Sequence, residues 1–331
     1  MKRLNNLITE NNITVEFCKA AILEAAKGKR KRYAVRKTLA KIDKRAVEIR
    51  DMILSETFMP SPCLYETRLE KGKLRKLRKP KFYPDQIIHH ILIMLIRDKL
   101  MKYIDPYAMA GLVGRGCHKG VRNLRYWIQR KQNCEVNTKY CLKADIRKCF
   151  ENIKPIVVLN KYAEYIKDKK YLRLMFKVLF QFDELPLGSY ISAYTLNFLL
   201  KELDVAIREQ KCVKHYIRYM DDLVILGRSK EELKILKPII KKKLAELGLT
   251  LKYNYQIFSV DKRGLDVMGF RILRNNIIVR KSTQYGIYKC LRNGLDKDKK
   301  KQSMASRWGQ IKHCNSKYLY KIIGKNWGSI S

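Results

Sequence analysis

The chain has 331 residues, with 72 Lys and Arg against 31 Asp and Glu, a formal net charge of +41. Hydrophobic residues make up 46%, a normal globular share, so the chain can bury a core and is not a disordered basic tail. A charge of this size calls for a polyanionic partner. Nucleic acid is the default, because no basic amphipathic helix with an exposed apolar face marks a membrane surface.

The start, MKRLNNLITENN, lacks the apolar stretch of a signal peptide. Residues 15–60 read as helices, interrupted by the basic stretch KGKRKRYAVRK, Lys27 to Lys37, which reads as a solvated helix face or a phosphate contact. Glu70 to Lys81 carries seven basic residues and one acid, with Lys71-Gly72 as a hairpin turn between short strands. A helix is expected from Pro84 to about Lys102, its core face formed by Ile87, Ile88, Ile91, Leu92, Leu95 and Ile96. His89 and His90 on it read as packed or surface residues rather than metal ligands. The apolar run Ile91–Ile96 is too short to span a bilayer, so a soluble, cytoplasmic protein is expected.

From Tyr140 the texture changes. KYCLKADI reads as a strand ending at Asp145, followed by a helical stretch over 155–181 and a helix over Gly188–Arg208. Cys212–Tyr219 and Leu223–Gly227 flank Met220-Asp221-Asp222 as a hairpin with an acidic tip. A helix over Lys230–Leu247 and strands near Tyr255–Val260, Val267–Leu273 and Ile277–Arg280 follow. The stretch Lys299–Ser331 has eight basic residues and no acid, interleaved with Trp308, Tyr318, Tyr320 and Trp327, which suits a nucleic-acid groove as well as an aromatic-cored helical lobe. The expected class is mixed α/β (α+β), and at this length about two units or one multi-lobed unit. The nine cysteines form no CxxC pair, which speaks against a zinc module and a disulfide framework.

In so basic a chain, clustered acids need a reason. Asp221 and Asp222 are adjacent at a hairpin tip between apolar strands, and Asp145 closes another apolar strand. Crowded, desolvated carboxylates repel each other, and a divalent cation relieves both costs. Three carboxylates at strand ends can hold two Mg²⁺ ions about 3.5–4 Å apart, the geometry of nucleotidyl transfer.

The string HYIRYMDDLVIL carries the most specific signal. Tyr219-Met220-Asp221-Asp222 resembles the catalytic YxDD hairpin of reverse transcriptases. Asp145-Ile146-Arg147-Lys148-Cys149-Phe150 resembles the first palm motif, and Leu185-Pro186-Leu187-Gly188-Ser189 the next. Gly264-Leu265-Asp266-Val267-Met268-Gly269-Phe270 resembles the primer-gripping hairpin, and Lys73-Leu74-Arg75 through Pro80 the fingers motif. The resemblance implies a right-hand polymerase: N-terminal helices and fingers over 1–139, a palm over 140–273 with a fingers-like insertion at about 155–181, and a small helical thumb over 274–331. It implies Asp145, Asp221 and Asp222 as catalytic metal ligands together with the backbone of Ile146, Mg²⁺ as the two ions with Mn²⁺ as the alternative, and Phe150 as a steric gate against the ribose 2′-hydroxyl. Leu187 and Gly188 would support the incoming nucleotide. Lys73 and Arg75 would face the triphosphate, with Lys71, Arg78 and Lys79 as alternatives, Arg115 in GRGCHKG a further candidate, and Lys252 a candidate acid for the pyrophosphate.

One departure is informative. Most reverse transcriptases resemble LPQG where this chain has LPLG. An aliphatic residue there, then Gly and Ser192, resembles the enzymes of diversity-generating retroelements, although Ala193 stands where their pattern has Gln. That resemblance implies error-prone cDNA, miscopied mainly at template adenines, made on a template-repeat RNA. The partners it implies are template RNA, the RNA–cDNA duplex, dNTPs and a small basic accessory variability protein, with no membrane, in a bacterial or phage-encoded cytoplasmic setting. Another bacterial reverse transcriptase (of retron, group II intron-like or phage-defence type) is the alternative. A non-catalytic RNA binder on a polymerase scaffold is the remote one.

Overall fold

The computed structural model describes residues 3–70, 73–292, 297–316, 318–319 and 321–322. The chain divides into two compact units. One comprises Met1–Asp105, Ile146–Asp204 and Lys242–Thr250, the other Pro106–Asp145, Val205–Lys241 and Leu251–Ser331.

The first unit opens with helices α1 (Val15–Ala26), α2 (Tyr33–Leu39) and α3 (Ile42–Leu54). Thr14 caps α1 by accepting a hydrogen bond from the Phe17 N–H. Strands β1 (Leu64–Glu70) and β2 (Lys73–Lys79) pair antiparallel, with Glu70 opposite Lys73. The first strand therefore starts six residues before the sequence expectation, while Lys71 and Gly72 lie outside the described residues. Helix α4 (Ile87–Tyr103) begins three residues after Pro84, because Phe82–Gln86 form a separate π-helical turn, in which Tyr83, the residue before that proline, is extended (φ −116°, ψ 132°). Ile87, Ile88, Ile91, Leu92, Ile93 and Ile96 are all buried, as are His89 and His90. Leu95 is only half-buried and Ile93 takes its place in the core, because α4 is covered on nearly all sides.

The stretch 155–181 forms two helices, Pro155–Tyr165 and Lys169–Leu179. The break is made by the N-terminal segment. Leu4 bonds Tyr165 and Lys167 through its backbone, and the Asp168 carboxylate accepts from the N–H groups of Leu7, Ile8 and Tyr171. Helices Tyr190–Leu199 and Lys201–Arg208 follow.

The second unit is built on helix α5 (Cys117–Gln129) and a sheet. Its strands are β3 (Tyr140–Arg147), β4 (His215–Tyr219), β5 (Asp222–Gly227), β6 (Thr250–Leu251) and β7 (Gln256–Ser259). The order is β4-β5-β3-β6, with β7 also paired to β3. β3 runs two residues past Asp145. Strands β8 (Leu265–Val267), β9 (Phe270–Ile272) and β10 (Ile277–Val279) form a second antiparallel sheet. Val121, Leu124, Trp127, Ile217, Leu226 and Phe270 share one core beneath α5. A separate cluster of Ile287, Cys290, Met304 and Ile311 holds helices Lys281–Arg292 and Lys297–Ile311, with Trp308 packed against it. Tyr318 is exposed, and Tyr320 and Trp327 lie outside the described residues. All nine cysteines are free thiols. Among the described residues no helix is long and apolar enough to cross a membrane.

Candidate active site

The centre of the site is a pair of strands. β4 and β5 are buried on both faces for most of their length, β4 with Arg218 inside it, and are joined by a two-residue turn, since Tyr219 pairs with Asp222. Met220 occupies that turn at φ +56°, a left-handed conformation that costs a non-glycine residue about 1–3 kcal/mol. β5 also pairs with β3, and the register places Asp145 directly opposite Asp222. Directly opposed residues in an antiparallel pair have Cβ atoms about 4.5–5.5 Å apart, so two like charges are held side by side.

The surroundings answer that repulsion with cations. Lys252 donates from its backbone to the Asp145 carbonyl at 2.9 Å and from Nζ to Asp145 Oδ2 at 3.1 Å. Lys143, two residues before Asp145 on β3, donates to the Asp266 carbonyl at 2.8 Å. Arg280 binds the Asp266 carboxylate at 2.5 Å. Burial pushes the Asp222 carboxyl above its ordinary value, and the charge of Asp145 adds to this, while Lys143, Arg280 and Lys252 pull it back down. A cavity of about 210 Å³ opens beside the pair, lined by Lys143, Asp145, Asp222, Gln256, Arg263 and Asp266.

The turn is fixed from behind by Arg218, which has no exposed surface and donates from Nη1 to the Met220 carbonyl at 3.0 Å. Its backbone is clamped between Tyr107 and Met109. Residues 108–115 are held in turn by Arg115, whose guanidinium donates to the Ala108 carbonyl at 2.9 Å. Sequence reasoning passed over Arg218 and Lys143. The available signal was a charged residue inside a run whose neighbours are apolar, a position that requires buried partners.

The remaining expected residues are placed as follows. Asp221 is the second turn residue, half-buried. The strand register places Asp145 opposite Asp222, and Asp221 directly precedes Asp222 in the turn. The donor set is all carboxylate oxygen, which fits a hard divalent cation such as Mg²⁺ or Mn²⁺. Ile146, Phe150, Leu187 and Gly188 belong to the first unit. Ile146 is buried, and Phe150 and Leu187 are half-buried. Gly188 has φ +86°, a backbone conformation that favours glycine. Ser192 Oγ donates to the Pro186 carbonyl at 2.7 Å and so closes the turn that carries Leu187. Lys73 and Arg75 lie on β2, and their side chains fall outside the described residues. Arg78 is engaged with Asp183 at 2.9 Å and Lys79 with Glu66.

The family pattern described as reverse transcriptase (RNA-dependent DNA polymerase) matches residues 84–272, more than half of the chain. The chain belongs to the reverse transcriptase family. A curated relative, the retron Ec73 reverse transcriptase of Escherichia coli, is 24% identical over 213 residues, covering 60% of this chain. The chain spans 64% of that relative's length. The matched region of the family contains Asp145, the Leu187 turn, the Met220 hairpin and β9.

Proposed function

We propose that this reverse transcriptase is an RNA-directed DNA polymerase that extends a primer on template RNA, with Asp145, Asp221 and Asp222 at the reacting centre. The observation that carries the reading is the placement of Asp145 opposite Asp222 at the end of β3 and β5, next to a strained turn, in a chain of this family. Two Mg²⁺ ions, or Mn²⁺, held by these carboxylates and the Ile146 carbonyl would activate the primer hydroxyl and neutralise the leaving pyrophosphate. The protein's own part is to keep the carboxylates aligned. Lys252 orients Asp145, Lys143 and Arg280 offset the cost of a buried Asp222, and Arg218 holds the turn. In this reading residues 1–139 supply fingers, 140–273 the palm and 274–331 a thumb. Phe150 gates the sugar, and Lys73, Arg75 and Arg115 remain candidates for the triphosphate. The partners are template RNA, its cDNA duplex and dNTPs, in a cytoplasmic setting, the protein being bacterial or phage-encoded.

The test is primer extension on RNA with Mg²⁺. Asp222→Asn, and separately Asp221→Ala with Asp222→Ala, should lower the rate at least about a hundredfold, while RNA binding is kept. Extension at the wild-type rate in either protein would refute the assignment.

Leu187 supports the finer reading, an error-prone enzyme of a diversity-generating retroelement acting on a template-repeat RNA with a small basic accessory protein. An aliphatic side chain there offers no hydrogen bond to the nascent base pair, so discrimination rests on shape, worth only about 1–3 kcal/mol. The Ser192 bond to Pro186 supplies a reason for the serine in this pattern, because it fixes the turn that presents Leu187. Leu187→Gln should lower misincorporation opposite template adenines on a defined RNA. An unchanged error spectrum would leave Leu187 as a packing residue only. The curated relative favours a second reading, a retron-type enzyme whose cDNA is itself the product that acts. A template–variable repeat pair beside the gene supports the first reading, and its absence the second.

A further inference from the structure

The first unit carries a cationic surface that the polymerase reading leaves without a role. Lys27–Lys37 contains seven basic residues and no acid. Such a run can be a solvated tail, but here it is an ordered elbow between α1 and α2. Gly28 turns the chain at φ +70°, and the elbow then enters α2. Val35 and Thr38 are buried where α2 packs on the turn Phe82–Gln86 and on helices α1 and α3. The opposite face points to solvent, with Arg30, Lys31, Arg32, Arg36 and Lys37 all exposed. Among the described residues none of these five side chains is paired with a carboxylate. Folding has therefore fixed like charges close together without compensation, a cost that an external polyanion would remove.

Two further features narrow the partner. Tyr33 stands at the start of α2 with 72% of its surface exposed, amid these cations. An aromatic ring flanked by cations is a stacking platform for an unpaired base. The elbow is also tied to the basic hairpin of β1 and β2. Lys29 Nζ donates to Gln86 Oε1 at 3.1 Å, and Gln86 Nε2 donates to the Pro80 carbonyl at 2.8 Å, just after β2. The two basic segments are thus joined through one glutamine. A membrane surface fits less well, because the apolar face of α2 is spent on the core and Tyr33 is the lone large apolar side chain exposed on the elbow.

We propose that Lys27–Lys37 is a second nucleic-acid interface, which holds single-stranded RNA outside the polymerising centre. It rests on the reverse transcriptase reading and assigns that RNA as the unpaired template arm. Arg30, Arg32 and Arg36 contact phosphates, and Tyr33 stacks on a base.

The experiment measures binding of an unstructured uridine-rich RNA across a salt series, alongside extension of a short template–primer whose overhang is a few nucleotides. Arg30→Ala with Arg32→Ala and Arg36→Ala should flatten the slope of log affinity against log salt by about 2, since each single-strand phosphate contact contributes about 0.7. Tyr33→Ala should weaken binding about tenfold with the slope unchanged. Extension of the short template–primer should be unaffected in both. A control removing three exposed cations elsewhere, Lys234→Ala with Lys241→Ala and Lys242→Ala, has the same net charge as the triple arginine variant and should keep the wild-type slope. An equal loss of slope in the control would overturn the interface, as would wild-type binding in the elbow variants. So would wild-type protein that binds vesicles of anionic phospholipid as tightly as RNA and loses that binding with the elbow. Wild-type protein that binds RNA through the elbow yet never extends a primer would overturn the polymerase reading and the template role with it.

Discussion

Arg218 is a fully buried cation two residues ahead of the acidic turn, and its guanidinium bond to the Met220 carbonyl acts against the strain in that turn. A left-handed methionine would relax toward an ordinary conformation if the carbonyl were released, and Asp221 and Asp222 follow it directly in the chain. Small displacements of reacting groups are expensive: about 1 Å can cost a hundredfold in rate. Arg218→Met fills the same space without the charge, so the fold should survive. Its kcat for primer extension should fall about ten- to a hundredfold with KM for dNTP little changed. Arg218→Lys should recover only part of the loss, because a point charge lacks the planar fork that reaches the carbonyl. Equal losses in kcat and thermal stability across both variants would mean that Arg218 merely supports the core. The carboxylates themselves were legible in the sequence because acids are rare in this chain and these sit beside apolar strands. The supports Arg218 and Lys143 were not, and Lys252 was singled out without its bond to Asp145, because one basic residue among 72 carries no mark of its partner until the strands are paired.

At the scale of elements, legibility followed the range of the interactions. The hairpin of β4 and β5 could be read because a tight turn and two apolar runs lie within a dozen residues. The hairpin of β8 and β9 came only from the family resemblance, since the strand expected over Val267–Leu273 runs across its turn, where Met268 at φ +50° and Gly269 at φ +89° form the kind of doubly left-handed turn that suits right-twisted strands. What seats it was not readable. A Cβ on Gly120 of α5 would meet Met268 Sδ at 2.6 Å, so that glycine makes room for a turn about 150 residues away in sequence. The stretch expected over 155–181 is helical, but the break inside it was not readable either. Its periodicity continues through the break, and the groups that interrupt it, the Leu4 backbone and the Leu7 and Ile8 amides on Asp168, come from about 160 residues upstream. Local pattern fixes which segments are helix or strand, and distant polar groups decide where they stop.

For the whole molecule, the net charge of +41 puts a premium on keeping further positive charge out of the interior, and three buried histidines do so. Burial holds His89 at about 3, and the neighbouring His90 adds to the effect. His90, stacked on Tyr190 at 3.7 Å, is held at about 4 by burial; Lys29 and Arg97 push the same way, and Glu24 opposes them. Glu24 is already bound by Arg97 at 2.8 Å and by the Tyr190 hydroxyl at 2.9 Å. His215, stacked on Trp127 at 4.8 Å, is held at about 4 by burial and Lys131. All three values lie below the usual 6.5, so the sign is fixed. Above about pH 6.5 folded and unfolded chains are both neutral at these sites and stability is unaffected. As pH falls below that, the unfolded chain takes up protons that the folded chain refuses, and stability drops until the folded groups themselves titrate near pH 3–4. At pH 5 each histidine should cost about 2 kcal/mol, against a total stability of about 5–15 kcal/mol. The effect falls on both units: His89 and His90 lie in the first, and His215 lies in the second with His118 and His313, whose values burial and nearby cations also lower. Urea unfolding followed between pH 7.5 and 5, above the range where most carboxylates protonate, should therefore show a falling midpoint. If the two units melt separately, both transitions should shift. His215→Phe should reduce the pH dependence of the second transition without touching the first, leaving the part that His118 and His313 contribute; a profile that stays flat down to pH 5 would mean that these rings accept protons in the folded protein.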